Sequence, residues 1–464
     1  MMLTASYIVA AVAMSGAAIY LYLRLRLFLT ATTMLVGALL LIYGPAYLSF
    51  MLSSGEKAMV IQRLSGSMGG KSPIFSIIEA ASPDFAAIVI SMNFAIALMF
   101  IGVIAGIEIV DHLIPKRITA MEAALTGWNL QPLKDDVGGT RMLLLVIACL
   151  MLFLAWVSIR EDHLGTIKAF LSITDDESGR AAYRLNHGGS PNYLYRVLLG
   201  AVAPMLIVWG LLSGWINRYW ILFVATSLLF LAVMVGRSET LSKAPPAFLL
   251  VQLIVAGLLI FRNRMNWWSG LGALFAIILV LCFSIKLTIL AYDSFGALGF
   301  LYYRVFEVPS ESLLETFGAF PSRYPHTWGA NIRPLATIMG LNYTPAFTII
   351  SQLWHGTGDA TSNALFIADA WIDFSYAGVV GFSMLAAATC RSIDAIYLVN
   401  GKTVLGIAMM AAAFGGVFTL LVSALNTAFL SGGLLLAPLL AGILVKAIRL
   451  LTRTEPKSIP ASGG

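Results

Sequence analysis

Charge is what this chain of 464 residues has least of: Asp, Glu, Lys and Arg together make 11% of it, against about 25% in a soluble globule. With 59% hydrophobic residues, it cannot clothe a folded surface in polar groups, which excludes the water-soluble globular class. Cysteine is nearly missing too. Cys149, Cys282 and Cys390 all fall in or beside apolar runs, so packing roles are expected, with neither a disulfide framework nor a thiolate metal site. The chain has no GxxxxGK[ST] loop, HExxH, CxxC pair, GxSxG elbow or detectable internal repeat. Nucleotide hydrolysis and zinc chemistry therefore lack support, and no energy source for pumping is visible. The formal charge of +6 is ordinary for a membrane protein and gives no reason to expect nucleic acid as a partner.

What is abundant is apolar sequence in membrane-length pieces. Runs of about 20 apolar residues occur near 5–23, 28–50, 85–110, 142–159, 194–214, 219–236, 245–261, 267–290, 363–388, 403–425 and 430–450. The pattern predicts one all-α, polytopic membrane domain over 1–464 with about eleven spans, within a range of ten to twelve. No basic residue precedes the first run, and Arg24 and Arg26 follow it, which predicts an outward N-terminus and argues against a cleaved signal. Alternation then places Lys116, Arg117, Lys134, Arg141, Arg218, Arg262, Arg264, Arg391 and Lys402 inside, as the positive-inside rule requires. The long loops 160–193 and 291–362 fall outside, so their arginines need a different explanation.

The connecting segments carry separate expectations. Residues 51–82, rich in Ser and Gly, read as a flexible external loop or, alternatively, a substrate lid. Residues 112–140 read as a cytoplasmic, interfacial amphipathic segment. In 160–193, Asp175 and Asp176 precede Arg180 and Arg184, one helical turn apart; taken alone, a solvated loop with local ion pairs is the simpler reading. Arg237 and Lys243 flank the sixth and seventh runs, as interface anchors or as sources of positive potential at an outer vestibule. Lys286 reads as a snorkelling residue.

The richest stretch runs from Arg304 to Gly381. It interleaves Arg304, Arg323, Arg333, His326, His355, Glu307, Glu311 and Glu315 with Tyr303, Phe317, Tyr324, Trp328, Tyr343 and Trp354. Guanidinium forks suit phosphate oxygens and flat aromatic faces suit sugar rings, so a phosphate-linked carbohydrate fits both. Ser312-x-x-Glu315 resembles a capping box opening a short amphipathic helix on the membrane surface. Residues 335–354 read as a re-entrant or surface hairpin, interrupted by Asn342 and Pro345. In the run that follows, Asp369 and Asp373 lie one turn apart on one face, Asp369 nearer the outer end.

Three segments resemble bacterial O-antigen polymerases of the Wzy type. Residues 179–205, GRAAYRLNHGGSPNYLYRVLLGAVAPM, look like that family's arginine-bearing external loop and the span after it. Residues 304–333 look like its larger external loop, with an early Arg, a Pro and then a Phe-Pro turn. Residues 362–381, SNALFIADAWIDFSYAGVVG, are similar to its NANFxADxxxxFGYxG-like helix start, with Ser375 where glycine is usual. The three segments make up about a sixth of the chain. It implies a GT-C-like, multi-pass glycosyltransferase of the bacterial inner membrane, its active site facing the periplasm. Such an enzyme joins undecaprenyl-diphosphate-linked oligosaccharide repeats without a metal or cofactor, beside membrane lipid and with a chain-length regulator and a flippase as candidate partners. Candidate bases are then Asp369, His326 and Glu315. The residues expected to bind diphosphate and glycan are Arg180, Arg184, Arg304, Arg323, Arg333, Lys243, Tyr303 and Trp328. An O-antigen ligase, or a lipid-linked oligosaccharide transporter, is the alternative; a carrier should show paired repeats and broken midplane helices.

Overall fold

A computed structural model describes residues 1–58, 70–173, 191–238, 244–264, 275–282, 294–357 and 365–453, with single positions at 179, 183, 186, 187 and 272. Among these residues the chain is helical, and pairing outside helices is confined to isolated bridges such as Glu56 with Lys71. Among the described residues, eight helices are long and apolar enough to cross a membrane: Met2–Leu23, Ala31–Leu52, Phe85–Leu113, Thr140–Arg160, Tyr193–Ile216, Trp220–Ser238, Phe366–Tyr397 and Val404–Val422. The protein is a multi-pass helical membrane protein. Of the other expected spans, the seventh is the shorter apolar helix Pro246–Phe261, most of 267–290 lies outside the described residues, and the last is Leu436–Arg453, which carries Lys446, Arg449 and Arg453.

Two helices form the centre. Phe85–Leu113 and Phe366–Tyr397 meet along a small-residue seam at Gly102 and Gly106, a spacing that lets helix backbones touch. A Cβ on Gly106 would lie 2.3 Å from the Met384 carbonyl oxygen, and one on Gly102 would lie 2.9 Å from that of Val380. At the end of this pair where the sequence is strongly basic, ion pairs tie the helices together. Arg391 grips Asp111 with Nε and Nη2 at 2.6 and 2.9 Å, while Arg24 reaches Asp111 at 2.5 Å and Glu122 at 2.7 Å. Buried charges persist only when paired this closely. At the same end, Trp128 is fully buried and its Nε1 donates to the Leu259 carbonyl at 2.8 Å. The 112–140 segment is thus a packed helix, Pro115–Thr126, with a tucked tryptophan after it.

At the other end several expectations are corrected. The helix Val308–Ala319 does not lie on a surface, because every residue in it is buried. Nor does Ser312 cap it: helical backbone continues from Ser294–Tyr302 through a π-turn at Tyr303–Glu307, which leaves Ser312 mid-helix. Burial comes partly from the 51–82 segment, whose described parts are not a free loop. Helix Pro73–Ala81 packs on Val308–Ala319, Ser72 Oγ donates to Glu311 at 2.6 Å and the Ala58 amide donates to Glu307 at 2.9 Å. Residues 333–355 form a hairpin of two short helices, Arg333–Met339 and Ala346–His355, with Gly340 left-handed between them.

Phe366–Tyr397 is two helices joined at a kink, with Phe374 and Ser375 out of helical geometry. Ser375 adopts φ +55° and ψ −146°, next to a region that only glycine enters freely. Gly378 is needed for a different reason: its Cβ would fall 2.2 Å from the Ala370 carbonyl oxygen. The turns bearing Asp369 and Asp373 precede the kink and form the end of this candidate span opposite Arg391.

Candidate functional site

The loop 326–331 wraps the two helical turns before the kink, and Asp373 holds it there. Asp373 is fully buried; its Oδ1 accepts from Thr327 Oγ1 at 2.5 Å, from the Gly329 amide at 2.8 Å and from the Asn331 amide at 3.3 Å. The Thr327 and Trp328 amides donate to the carbonyls of Ile372 and Asp373 at 3.0 and 3.1 Å. Positive φ at Trp328 (51°) and Gly329 (97°) turns these amides inward, and a carboxylate is the group such converging donors favour.

Asp369, one turn earlier and half-buried, is differently placed. Its Oδ1 accepts a single bond, 2.6 Å from Asn331 Nδ2, whose own Oδ1 accepts from the Ala346 amide at 2.9 Å. One oxygen is held while the other has no bond to a described residue, an arrangement suited to taking a proton or orienting a hydroxyl. His326 sits on the same loop with Nδ1 3.3 Å from the Ile372 carbonyl. A carbonyl only accepts, so Nδ1 is the donor in this bond, and in the neutral ring the lone pair is then on Nε2. Its ring meets Trp371 edge-on at 5.4 Å, and Trp371 Nε1 donates to the Phe320 carbonyl at 2.9 Å.

Trp371 also walls a cavity of about 450 Å³ between residues 81–91 and 317–323. Phe317 and Phe320 make it apolar on one side, while Ser82, Asp84, Ser322 and Arg323 give it a polar mouth. Arg323 is exposed, lies 4.8 Å over the Trp354 ring and spends Nη2 on the Ala81 carbonyl at 2.7 Å. Ser82 is buried, and its Oγ has no hydrogen-bond partner among the described residues. A guanidinium, the amide end of helix Phe85–Leu113 and an unused hydroxyl are donors an anion could use, with the Asp84 carboxylate in the same mouth opposing them.

The structure thus brings His326, Trp328 and Asp369 onto one loop and helix face, with Arg323 on the far side of Trp371. Arg333 follows two residues after Asn331, exposed and 5.3 Å over Tyr343. Three expected residues are drawn elsewhere. Glu315 is buried and faces His355 Nε2 at 3.0 Å, Tyr303 donates to Glu311 at 2.9 Å, and exposed Arg304 lies over Phe300 at 5.4 Å. Glu307, Glu311 and Glu315 recur every fourth residue down one buried face. Burial raises the pKa of Glu307, the Ala58 amide lowers it, and the neighbouring Glu311 carboxylate raises it again, leaving it above the usual carboxylate range.

Arg180, Arg184 and Lys243 lie outside the described residues, as do Lys286 and Asn363. Arg237, read as an anchor or a vestibule charge, is buried and donates to the Leu199 carbonyl at 3.0 Å, at a π-turn in Tyr193–Ile216. The residues that sequence reasoning passed over are Asn331, Thr327 and Trp371, each within or beside the quoted motifs but without charge to mark it. No family model, no curated protein and no solved structure matches the chain, so the resemblance rests on the quoted residues alone.

Proposed function

We propose that this protein is a glycosyltransferase of the bacterial inner membrane that polymerises undecaprenyl-diphosphate-linked oligosaccharide repeats on the periplasmic face. The observation that carries the reading is Asp369: a half-buried carboxylate with one oxygen fixed by Asn331, in the first turn of a membrane-length helix. His326 sits on the loop that Asp373 holds, with its ring against Trp371, and Trp371 in turn walls the arginine-edged cavity. The basic end of the bundle faces the cytoplasm under the positive-inside rule, which turns this site outward.

In this reaction the acceptor sugar's hydroxyl oxygen bonds to the anomeric carbon of the growing glycan while the bond from that carbon to the diphosphate oxygen breaks. Asp369 takes the hydroxyl proton, with His326 Nε2 as the second acceptor within the loop. The departing diphosphate gains negative charge, which the Arg323 fork and the helix terminus beside it offset. Trp328, 62% exposed, offers a face for a sugar ring.

The test is to incubate purified protein with undecaprenyl-diphosphate-linked repeat units. A ladder of products supports the reading, and its absence with a competent donor rejects it. Single transfer to a lipid A core acceptor, with no ladder, marks a ligase instead.

A further inference from the structure

The hairpin 333–347 presents to its surroundings the residues a soluble loop would bury. Ile338 is 82% exposed, Met339 52%, Phe347 50%, and Leu341 and Tyr343 are close behind at 40% and 42%. The opposite faces of the same two helices are packed, through Ala336 on one and Ala346, Ile350 and Trp354 on the other. Each short helix is therefore packed on one side and leaves large apolar side chains at least half exposed on the other, Ile338 and Met339 on the first and Phe347 on the second. Contiguous apolar surface of this kind marks a contact with lipid or with another protein.

We propose that this hairpin inserts its apolar edge into the outer leaflet beside the bundle, as an interfacial anchor for the loop that carries Asn331. Charge favours lipid phosphate as the neighbour. Residues 316–357 contain no Asp or Glu, and their formal cations are Arg323 and Arg333. Arg333 is exposed at the first position of the hairpin, 5.3 Å over the Tyr343 ring. An arginine and a tyrosine above an apolar edge make the pairing that settles at headgroup level. Height agrees. Asn331 binds Asp369, and Asp369 stands in the first turn of the candidate span Phe366–Tyr397. The hairpin base is thus tied close to the bilayer surface, and its edge needs only a few ångströms to reach acyl chains.

A probe of depth tests this without any assay of transfer, so its outcome is independent of the polymerase reading. With Cys149, Cys282 and Cys390 replaced by Ala, an environment-sensitive fluorophore is attached to Ile338→Cys or Phe347→Cys, with Ser322→Cys as the aqueous control. The protein is placed in nanodiscs of phosphatidylethanolamine and phosphatidylglycerol. We expect lipid spin-labelled high on the acyl chain to quench the two hairpin probes several-fold more than iodide does, and the reverse at Ser322. Iodide quenching at Ile338 and Phe347 equal to that at Ser322 would overturn the proposal. So would shielding from both quenchers, which would assign the edge to a protein partner or a second copy of this chain. An unchanged melting temperature in detergent for each labelled variant confirms that the probes report on the folded protein.

Discussion

Asn331 Nδ2 lies 2.6 Å from Asp369 Oδ1, and the same asparagine donates its main-chain amide to Asp373 at 3.3 Å. One residue thus touches both carboxylates, but by different means, and the two acids should respond differently to mutation.

Asp369→Asn should lower transfer by about 100-fold or more, the usual worth of a positioned base, with melting temperature and donor binding nearly unchanged. Asp373→Asn should cost about 1–3 kcal/mol of stability through its buried donors, and activity should fall with folded protein. Parallel thermal melts and turnover measurements on the two variants check this; equal loss of stability in both would remove Asp369 from the chemistry.

Arg323→Lys should impair donor use nearly as much as Arg323→Ala, because lysine keeps the charge but not the fork or the stacking on Trp354. Binding of a lipid diphosphate to each variant, measured in detergent, separates this from a surface arginine, whose lysine variant would bind as wild type does.

Ser375→Gly should stabilise the protein by about 1 kcal/mol by relieving a backbone conformation unsuited to a side chain, while Ser375→Val should destabilise it. Both follow from φ +55° at that position, and unfolding of the two variants in detergent measures the order.

Glu307 carries a raised pKa, so its protonated form fits the fold better than the carboxylate. The stability this contributes is complete below the unfolded-state value of about 4.3 and is lost as pH rises through the folded value. Glu307→Gln should therefore melt higher than wild type at neutral pH and converge with it in acid. A constant difference across pH 4–8 would contradict the assignment.

Topology is open to the same cysteine-free background. Ser322→Cys should react with an impermeant maleimide in spheroplasts, whereas Thr119→Cys, exposed on helix Pro115–Thr126, should react only after permeabilisation.

Hydropathy made most of the helices legible, because a membrane span announces itself by length and composition alone. The pair of aspartates was legible as well, since a spacing of four fixes a common face. What could not be read were the long-range partners. Nothing in Ser-Gly-rich 51–82 says that its ends cover Val308–Ala319, and an apparent capping box at Ser312 looks the same whether or not a π-turn has already begun the helix. Asn331 escaped notice because an uncharged amide in a loop has no periodicity, and its role depends on a contact 38 residues away.

The glycine seam between Phe85–Leu113 and Phe366–Tyr397 closes one route through the protein. Where Gly102 and Gly106 press against the Val380 and Met384 carbonyls, main chain meets main chain and nothing can thread between these two helices. Under the proposed function, a lipid-linked substrate would reach the Asp369 loop by a path other than this seam.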